Sequence, residues 1–350
     1  MENLKIEFSL TGNYVNELKT AIQATKYMNE VVISASANGV SFHLNDLSIE
    51  GMVKFPIISD GEGVFVMSKN MMNKLFAQAS NGVTFKVNGT LLTLVVDGTD
   101  LNVNLPFVSP VLLEEPSETK EVVSVDKERM QTITGLMNIN LGSDVSIISV
   151  MEFSDLTKIG SSEQIITINT PEFENQRIPI TWEALNIIKA VTNLTKDNIK
   201  FCQNEEELSW EASYTKFWTP IQKSHFPDIS EVEDQDLLCK FNIGNISSVV
   251  KSLSKLQIPL VGIQNPLVGL KITDKPESIL SVTDIGNRTS HDSFESTLIE
   301  GDAGDTISLS ISVLSSSLNK TKANAVDVES RDTMIKIPFD EYTVYIQKYI

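Results

Sequence analysis

Two cysteines and three histidines are the chain's whole supply of thiol and imidazole groups, and their spacing builds no site. Cys202 and Cys239 form no CxxC pair, so neither a disulfide scaffold nor a thiolate metal site is expected. His43, His225 and His291 are scattered, which argues against zinc. No GxxxxGKS/T loop, no GxGxxG after a strand, no HExxH and no GxSxG occurs. His225, beside Phe226 and Pro227, reads as a loop or interface residue rather than a base. Glu205, Glu206 and Glu207, like Asp234 and Asp236, read as solvated turn and linker carboxylates. Any chain this acidic offers pairs that could mimic glycosidase acids. The chemistry left is that of ammonium groups, which bind phosphate. The expectation is a protein with no catalytic residue, no cofactor and no metal.

The 350 residues, 41% hydrophobic and 21% charged, suffice for two or three modest cores. Glycine (17) and proline (12) are ordinary in number, so long disordered stretches are not expected. No 18-residue apolar run and no signal-peptide pattern at Met1 is present, which predicts a cytoplasmic chain without membrane contact. A net charge of −18 governs solubility and long-range repulsion. Binding to a polyanion depends instead on where the cations sit.

The elements that would position those cations recur three times. "GVFVMSKNMMNKLFAQASNGVTFKVNGTLLTLVVDGTDLNVNLP" from Gly63 reads as strand, Ser or Thr, amphipathic helix, then alternating strands. "RIPITWEALNIIKAVTNLTKDNIKFCQNEEELSWEASYTKFWTPI" from Arg177 and "DTISLSISVLSSSLNKTKANAVDVESRDTMIKIPFDEYTVYIQ" from Asp305 read the same way. Ser68, Thr181 and Ser310 are the expected N-caps. Apolar stripes follow in one frame: Met71, Met72, Leu75 and Phe76; Ala184, Leu185 and Ile188; Val313, Leu314 and Leu318. Val83, Phe85 and Val87, then Ile199 and Phe201, then Val326 and Val328 mark the half-buried strands. Each unit also opens on a helix: Val15, Leu18 and Ile22; Met130, Ile133, Leu136 and Met137; Val249, Val250, Leu253 and Leu256. The caps stand 113 and 129 residues apart, a domain-sized period. Three α+β domains of two helices each are predicted, over 1–118, 119–235 and 236–350. Ser109–Glu121 and Ser230–Asp236 serve as linkers.

The predicted helices span 13–28, 68–80, 126–138, 181–196, 244–256 and 310–322. They hold twelve cations: Lys19, Lys26, Lys69, Lys74, Lys127, Arg129, Lys189, Lys196, Lys251, Lys255, Lys320 and Lys322. Their acids are four: Glu17, Asp126, Glu128 and Glu183. That balance of +8 leaves −26 for the rest of a chain whose total is −18. Lysine is a good helix former and coats solvated faces, but glutamate is equally good and is nearly absent here. If the helices line one surface, that surface attracts phosphates while the exterior repels them. Double-stranded DNA, with a charge every ~1.7 Å, would be held there without being read.

These features resemble the bacterial β sliding clamp family, the processivity subunit of DNA polymerase III, over essentially the whole chain. "RIPITWEALNIIKAV" is similar to that family's middle-domain strand and helix. "SHFPDISEV" resembles its Phe-Pro-Asp stretch (here Phe226, Pro227, Asp228 and Val232), and "EYTVYIQKYI" its hydrophobic ending. Two features depart from it. The Asp-Gly-His-Arg motif beside the partner pocket is missing, with "KIGSSEQII" (158–166) the nearest stretch. The tail proline is missing near Ile346 or Gln347. A divergent, phage- or plasmid-type clamp fits better than a housekeeping one.

The resemblance implies a fold of three DNA-clamp domains, each with two helices packed on antiparallel sheets, closing as a head-to-tail homodimer into a ring around double-stranded DNA. It implies partners, a replicative polymerase and a clamp loader, that dock through short hydrophobic peptides. The implied pocket residues are Leu156, Ile159, Val232, Tyr345, Ile346, Tyr349 and Ile350, and the implied dimer contacts are Leu101 and Val103 against Leu253 and Leu256. Two other readings stand beside this one. One is a processivity factor acting as a monomer or trimer, which the three-unit count disfavours. The other is a repeat-built structural or assembly protein without DNA binding.

Overall fold

The computed structural model describes all residues except 1–3, 47, 80, 97, 106–111, 116–119, 137–148, 162, 223–225, 227, 264–265, 285 and 350. Met137, His225, Pro227 and Ile350 therefore lie outside the described residues, as does most of the expected linker at Ser109–Glu121. The chain opens with β1 (Lys5–Thr11), α1 (Gly12–Ala24), β2 (Glu30–Ser36), β3 (Gly39–Asp46), β4 (Ile49–Phe55) and β5 (Gly63–Ser68). It continues through α2 (Lys69–Gln78), β6 (Gly82–Asn88), β7 (Leu91–Val96) and β8 (Thr99–Asn104). Next come β9 (Lys120–Val125), α3 (Lys127–Gly135), β10 (Ser149–Phe153), β11 (Leu156–Gly160) and β12 (Gln164–Asn169). Then follow β13 (Ile178–Thr181), α4 (Trp182–Leu194), β14 (Ile199–Gln203), β15 (Glu207–Ala212), β16 (Thr215–Pro220) and α5 (Ile229–Glu233). The last third holds β17 (Leu237–Ile243), α6 (Ile246–Leu256), β18 (Leu267–Lys271), β19 (Glu277–Thr283) and β20 (Thr289–Gly301). It ends with β21 (Thr306–Ser310), α7 (Ile311–Asn319), β22 (Val326–Arg331), β23 (Met334–Pro338) and β24 (Tyr342–Gln347).

Two compact units result: Met1–Thr134 with Ile180–Lys223, and Gly135–Pro179 with Ser224–Ile350. The first holds a four-stranded sheet, β1-β6-β7-β8, and an eight-stranded one, β5-β2-β3-β4-β16-β15-β14-β9. All pairings in both are antiparallel. Alternation of apolar and polar residues sends one face of each strand inward, as β1 shows with Ile6, Phe8 and Leu10 buried. Phe8 stacks on Phe85 at 4.8 Å between ring centroids. In the long sheet β4 meets β16 at Gly51 opposite Phe217. A Cβ on Gly51 would lie 2.2 Å from the Phe217 ring, so only glycine lets that ring cross the joint.

The second unit is built on the sheet β13-β10-β11-β12-β24-β23-β22-β17-β20-β19-β18-β21, with α6 and α7 packed together on it. The apolar stripes of the sequence become its helix cores: Val249, Leu253 and Leu256 on α6, Leu314 and Leu318 on α7. In the first unit Val15, Leu18, Ile22, Met72, Leu75, Phe76, Met130 and Ile133 do the same.

The observed helices are shorter than expected, mostly at their C-terminal ends. α1 stops at Ala24, α4 at Leu194 and α7 at Asn319, so Lys26, Lys196, Lys320 and Lys322 lie just beyond helix ends. Cations there complement the carbonyl end of the helix dipole. Two expected caps form: Ser68 Oγ accepts from the Met71 N–H at 3.2 Å and Thr181 Oγ1 from the Ala184 N–H at 3.3 Å. Ser310 precedes α7 but makes no capping bond, because its hydroxyl pairs with Ser312 Oγ at 3.1 Å. The expected linker at Ser230–Asp236 is partly helical. Asp228 caps α5 through the Ser230 N–H, and Ile229 and Val232, three residues apart, bury one face.

Candidate nucleic-acid interface and partner pocket

Eight of the twelve expected phosphate ligands lie within helices: Lys19, Lys69, Lys74, Lys127, Arg129, Lys189, Lys251 and Lys255. Lys26, Lys74 and Lys196 in the first unit and Lys251, Lys255 and Lys322 in the second are exposed, while Lys19, Lys127, Arg129 and Lys189 are half-buried. The acids beside them are largely engaged. Asp126 caps α3 through the Arg129 N–H at 2.8 Å. Glu17 accepts from the Tyr214 N–H at 3.1 Å and from Thr215 Oγ1 at 3.0 Å, and burial raises its pKa. Burial likewise raises that of Glu183.

Two lysines face the protein. Lys69 Nζ donates to the Thr25 carbonyl and, at 3.4 Å, to that of Lys26; burial lowers its pKa against the pull of Asp46. Lys320 Nζ donates to the Leu136 carbonyl at 2.7 Å, and desolvation brings its pKa down to about 8. Sequence spacing places both on helix ends but says nothing of direction. Their ammonium groups serve main-chain carbonyls rather than an open surface.

The residues expected at a subunit interface divide. β8 is an edge strand, with Leu101 39% exposed and Val103 half-buried. Leu253 and Leu256, at 0% and 5%, are instead core residues of their own unit, because the α6 stripe faces its sheet. The exposed apolar groups nearby are Ile258 (71%) and Val261 (83%), just past α6, and Ile299 on β20. The segment Thr297–Gly301 of β20 pairs with β17, whereas β19 pairs only with Thr289–Glu295.

The expected pocket residues also separate by strand register. Ile165 pairs with Tyr345 and Ile166 with Val344, so Tyr345 shares one sheet face with Ile165 while Ile346 and Ile159 point to the other. On the first face Ile165, Phe226, Ile229, Val232, Met334 and Tyr345 form one buried cluster, roofed by α5. Leu156, half-exposed, lies on that same face, and the Tyr349 N–H bonds to the Ser308 carbonyl at 2.9 Å. Glu233 closes the cluster. Its carboxylate accepts from Lys336 Nζ at 2.8 Å and from the Tyr345 hydroxyl, with Arg331 Nη2 at 3.4 Å. Burial alone would raise its pKa, but the Lys336 and Tyr345 hydrogen bonds and the two cations hold it below the usual carboxylate range. Tyr345 is pushed well above the usual phenol range by burial and by Glu233. Arg331 also donates to the carbonyls of Glu233 and Gln235 at 2.6 and 2.9 Å.

The same sheet face carries a cavity of about 320 Å³ lined by Glu152, Ser154, Asp155, Lys158, Gln176, Arg177 and Asp228. Glu152, 2% exposed, is held by Arg177 Nε at 2.7 Å and Lys158 Nζ at 3.5 Å. The hairpin β11–β12, which spans the stretch nearest to the missing motif, thus carries an ion pair beside it. Asp228 followed by Ile229 and Val232 was a readable cap-and-stripe signal for α5. The ligation of Glu233 by β22, β23 and β24 had none, since its partners lie about a hundred residues away.

No family model and no curated protein matches the chain. Solved structures do. The Thermotoga maritima DNA polymerase III β subunit aligns with a TM-score of 0.83 at 12% identity, covering 99% of each chain. The Bacillus subtilis DNA polymerase sliding clamp gives 0.79 at 13% identity, covering 99% of each. The fold is that of a β sliding clamp. A Caulobacter crescentus β sliding clamp with polyethylene glycol bound at its putative β-motif tethering region gives 0.80 at 10% identity, covering 99% of this chain and all of that one. Identities this low tie the clamp fold to spacing and burial pattern rather than to shared residues. Among the described residues no helix is long and apolar enough to cross a membrane.

Proposed function

We propose that the protein is a DNA sliding clamp, a non-enzymatic processivity factor that encircles duplex DNA and tethers replication proteins. The observation that carries this reading is the end-to-end match to clamp structures, with 98–99% of this chain covered in each. The cations on or just beyond the helices give the reason: ten of the expected twelve, all but Lys69 and Lys320, hold phosphates without reading sequence in a chain of net −18.

In this reading the chain is three clamp domains, 1–118, 119–235 and 236–350, and two chains close head to tail. A closed two-fold assembly pairs one open strand edge with another of the partner chain. β8, with Leu101 and Val103, is one such edge. The open half of β20 at Thr297–Gly301, with its exposed Ile299, supplies the other in place of Leu253 and Leu256, and the exposed Ile258 and Val261 just past α6 add apolar contacts. A polymerase or loader peptide docks on the sheet face that bears the half-exposed Leu156, with the tail at Tyr349 as a further contact, while Val232 and Tyr345, buried beneath α5, support that face from within. Ile159 and Ile346 support that sheet from behind.

The test is retention. Protein threaded onto a linear duplex should stay bound through a high-salt wash once both ends are blocked by streptavidin, and should be lost when one end is freed. Equal loss from blocked and open duplexes would overturn encirclement and favour a repeat-built assembly protein.

A further inference from the structure

Three strands of the eight-stranded sheet set a row of side chains on the face turned away from the core side chains Phe42, Val53 and Phe217. In that row Met52 on β4 stands opposite His43 on β3 and, on its other side, opposite Lys216 on β16. The row spans the joint where strands of the expected first domain meet those of the expected second. Residues 112–115, from the expected linker between the two, lie across it. The Leu113 N–H donates to His43 Nδ1 at 3.3 Å, and Glu115 pairs with Lys216 Nζ at 3.4 Å. The linker is therefore tied to β3 on one side of the joint and to β16 on the other.

The two ties differ in kind. The Lys216 and Glu115 side chains are 21% and 45% exposed, so water and salt screen their attraction. His43 is 6% exposed, and polar atoms withdrawn that far are kept in hydrogen bonds. Accepting at Nδ1 requires the neutral ring with its proton on Nε2, because an imidazolium donates from both nitrogens and accepts at neither. Apolar burial adds little to the hold, since Leu112 is 45% exposed and Leu113 only half-buried. One proton on His43 thus sets an N–H donor against the Leu113 N–H.

The surroundings of the ring are mostly uncharged. Val32 on β2 and Met52 on β4 stand beside it, and Ser41 and Asn45 lie two places away on β3. Two places away on the neighbouring strands are the exposed Glu30 and Lys54, and Glu50, which accepts from Trp218 Nε1 at 2.9 Å. Lys216 on β16 and Glu114 and Glu115 of the linker complete the set. Burial favours the neutral ring and lowers its pKa, against the pull of Glu115.

We infer that residues 112–115 are a strap over the β4–β16 joint, pinned at His43 and Lys216, which protonation of His43 releases. Above the ordinary histidine value of about 6.5 the pin is complete, and it is lost as pH falls through the lower value of the folded protein. Release leaves the joint to the pairing of residues 215–218 with 50–53 and frees the chain that links the two domains. The device does not depend on the clamp reading, because every group in it belongs to the first compact unit.

The test is hydrogen exchange of the Leu113 amide in the full-length protein between about pH 8 and pH 5, corrected for intrinsic exchange, with amides of β3 as the control for folding. Protection should hold above about pH 6.5 and fall about tenfold per pH unit below the release midpoint, the slope set by one proton, while β3 stays protected. His43→Asn, whose Oδ1 offers an acceptor and takes up no proton, should keep Leu113 protected throughout. His43→Phe should leave it exchanging at the released rate at every pH. Glu115→Gln removes the charge that favours the imidazolium, so its midpoint should move to lower pH even though the tie to Lys216 is gone. Flat protection in the unaltered protein, or acid loss in His43→Asn as large as in the unaltered chain, overturns the switch. So does an unmoved or raised midpoint in Glu115→Gln, which would make the Lys216 pair the true pin. Loss of β3 protection together with that of Leu113 would show acid unfolding instead of strap release. Should the His43 variants fail to fold, the surface change Glu115→Gln carries the test.

Discussion

Replacing Glu233 by glutamine tests how the roof of the apolar cluster is held down. The amide keeps the shape and one acceptor but removes the charge facing Lys336 and Arg331, whose side chains are 21% and 14% exposed. Hydrogen bonds to charged groups contribute about 1.5–3 kcal/mol each, and stripping one partner from a buried pair costs roughly 3–5 kcal/mol. Glu233 is itself 32% exposed, so solvent screening cuts these figures and about 2 kcal/mol is expected. For a cooperative unit of this size that lowers the melting temperature by about 4–8 °C. The pH dependence gives the sharper check. The folded pKa of Glu233 lies below its ordinary value. Its stabilisation is therefore complete above the unfolded carboxylate pKa of roughly 4.3 and is lost as pH falls through the folded pKa. Melting curves of both proteins should differ at pH 7 and converge towards pH 3. A gap of the same size at both values would show that the loss is one of packing, and would refute the charge network as the latch.

Neutralising the exposed Lys26, Lys74, Lys196, Lys251, Lys255 and Lys322 should flatten the salt dependence of duplex binding by about 0.9 for each phosphate no longer neutralised, without sequence preference appearing; an unchanged slope would mean these groups do not meet DNA. Lys320→Ala should instead lower the melting temperature and leave the salt slope alone, since its ammonium serves the Leu136 carbonyl. Charged substitutions at Leu101 and Val261 should yield monomers by light scattering, whereas Leu253→Asp should unfold the second unit; dimeric Leu101→Asp and Val261→Asp proteins would place the interface elsewhere. Ser68→Ala should cost about 1 kcal/mol in denaturant titration and Ser310→Ala much less, because only Ser68 caps its helix.

The repeated helices and strands were legible because their signals are local. A stripe three and four residues apart at Met72, Leu75 and Phe76 means the same thing in any context, and those three side chains lie in a core. Direction at a helix end was not legible. Lys69 and Lys74 look alike in sequence, yet one is drawn onto carbonyls near Asp46 and the other stands in solvent. Leu253 and Leu256 illustrate the reverse case, since the stripe that identifies α6 is also what hides it from any partner. The pocket face was half legible. Tyr345 and Ile346 are adjacent, and strand alternation puts them on opposite sides, so the two do not line one face. The pairing of β12 with β24, which decides the side, spans half the chain and leaves no trace in local pattern.

That pairing also sets an order in time. β12 at Gln164–Ile168 is bordered by β24 at Tyr342–Ile346, so that edge has no partner until residues 342–346 are made. At roughly 5–20 residues per second, a ribosome needs about 10–35 s to travel from Ile168 to Tyr345. Throughout that interval the nascent chain offers an unpaired strand rich in isoleucine, the kind of edge that recruits a wrong neighbour. Pairings this distant in sequence also close slowly. β24 is therefore the last strand to join this sheet, and a chain cut short before it would be left with an adhesive border rather than a slightly weaker fold.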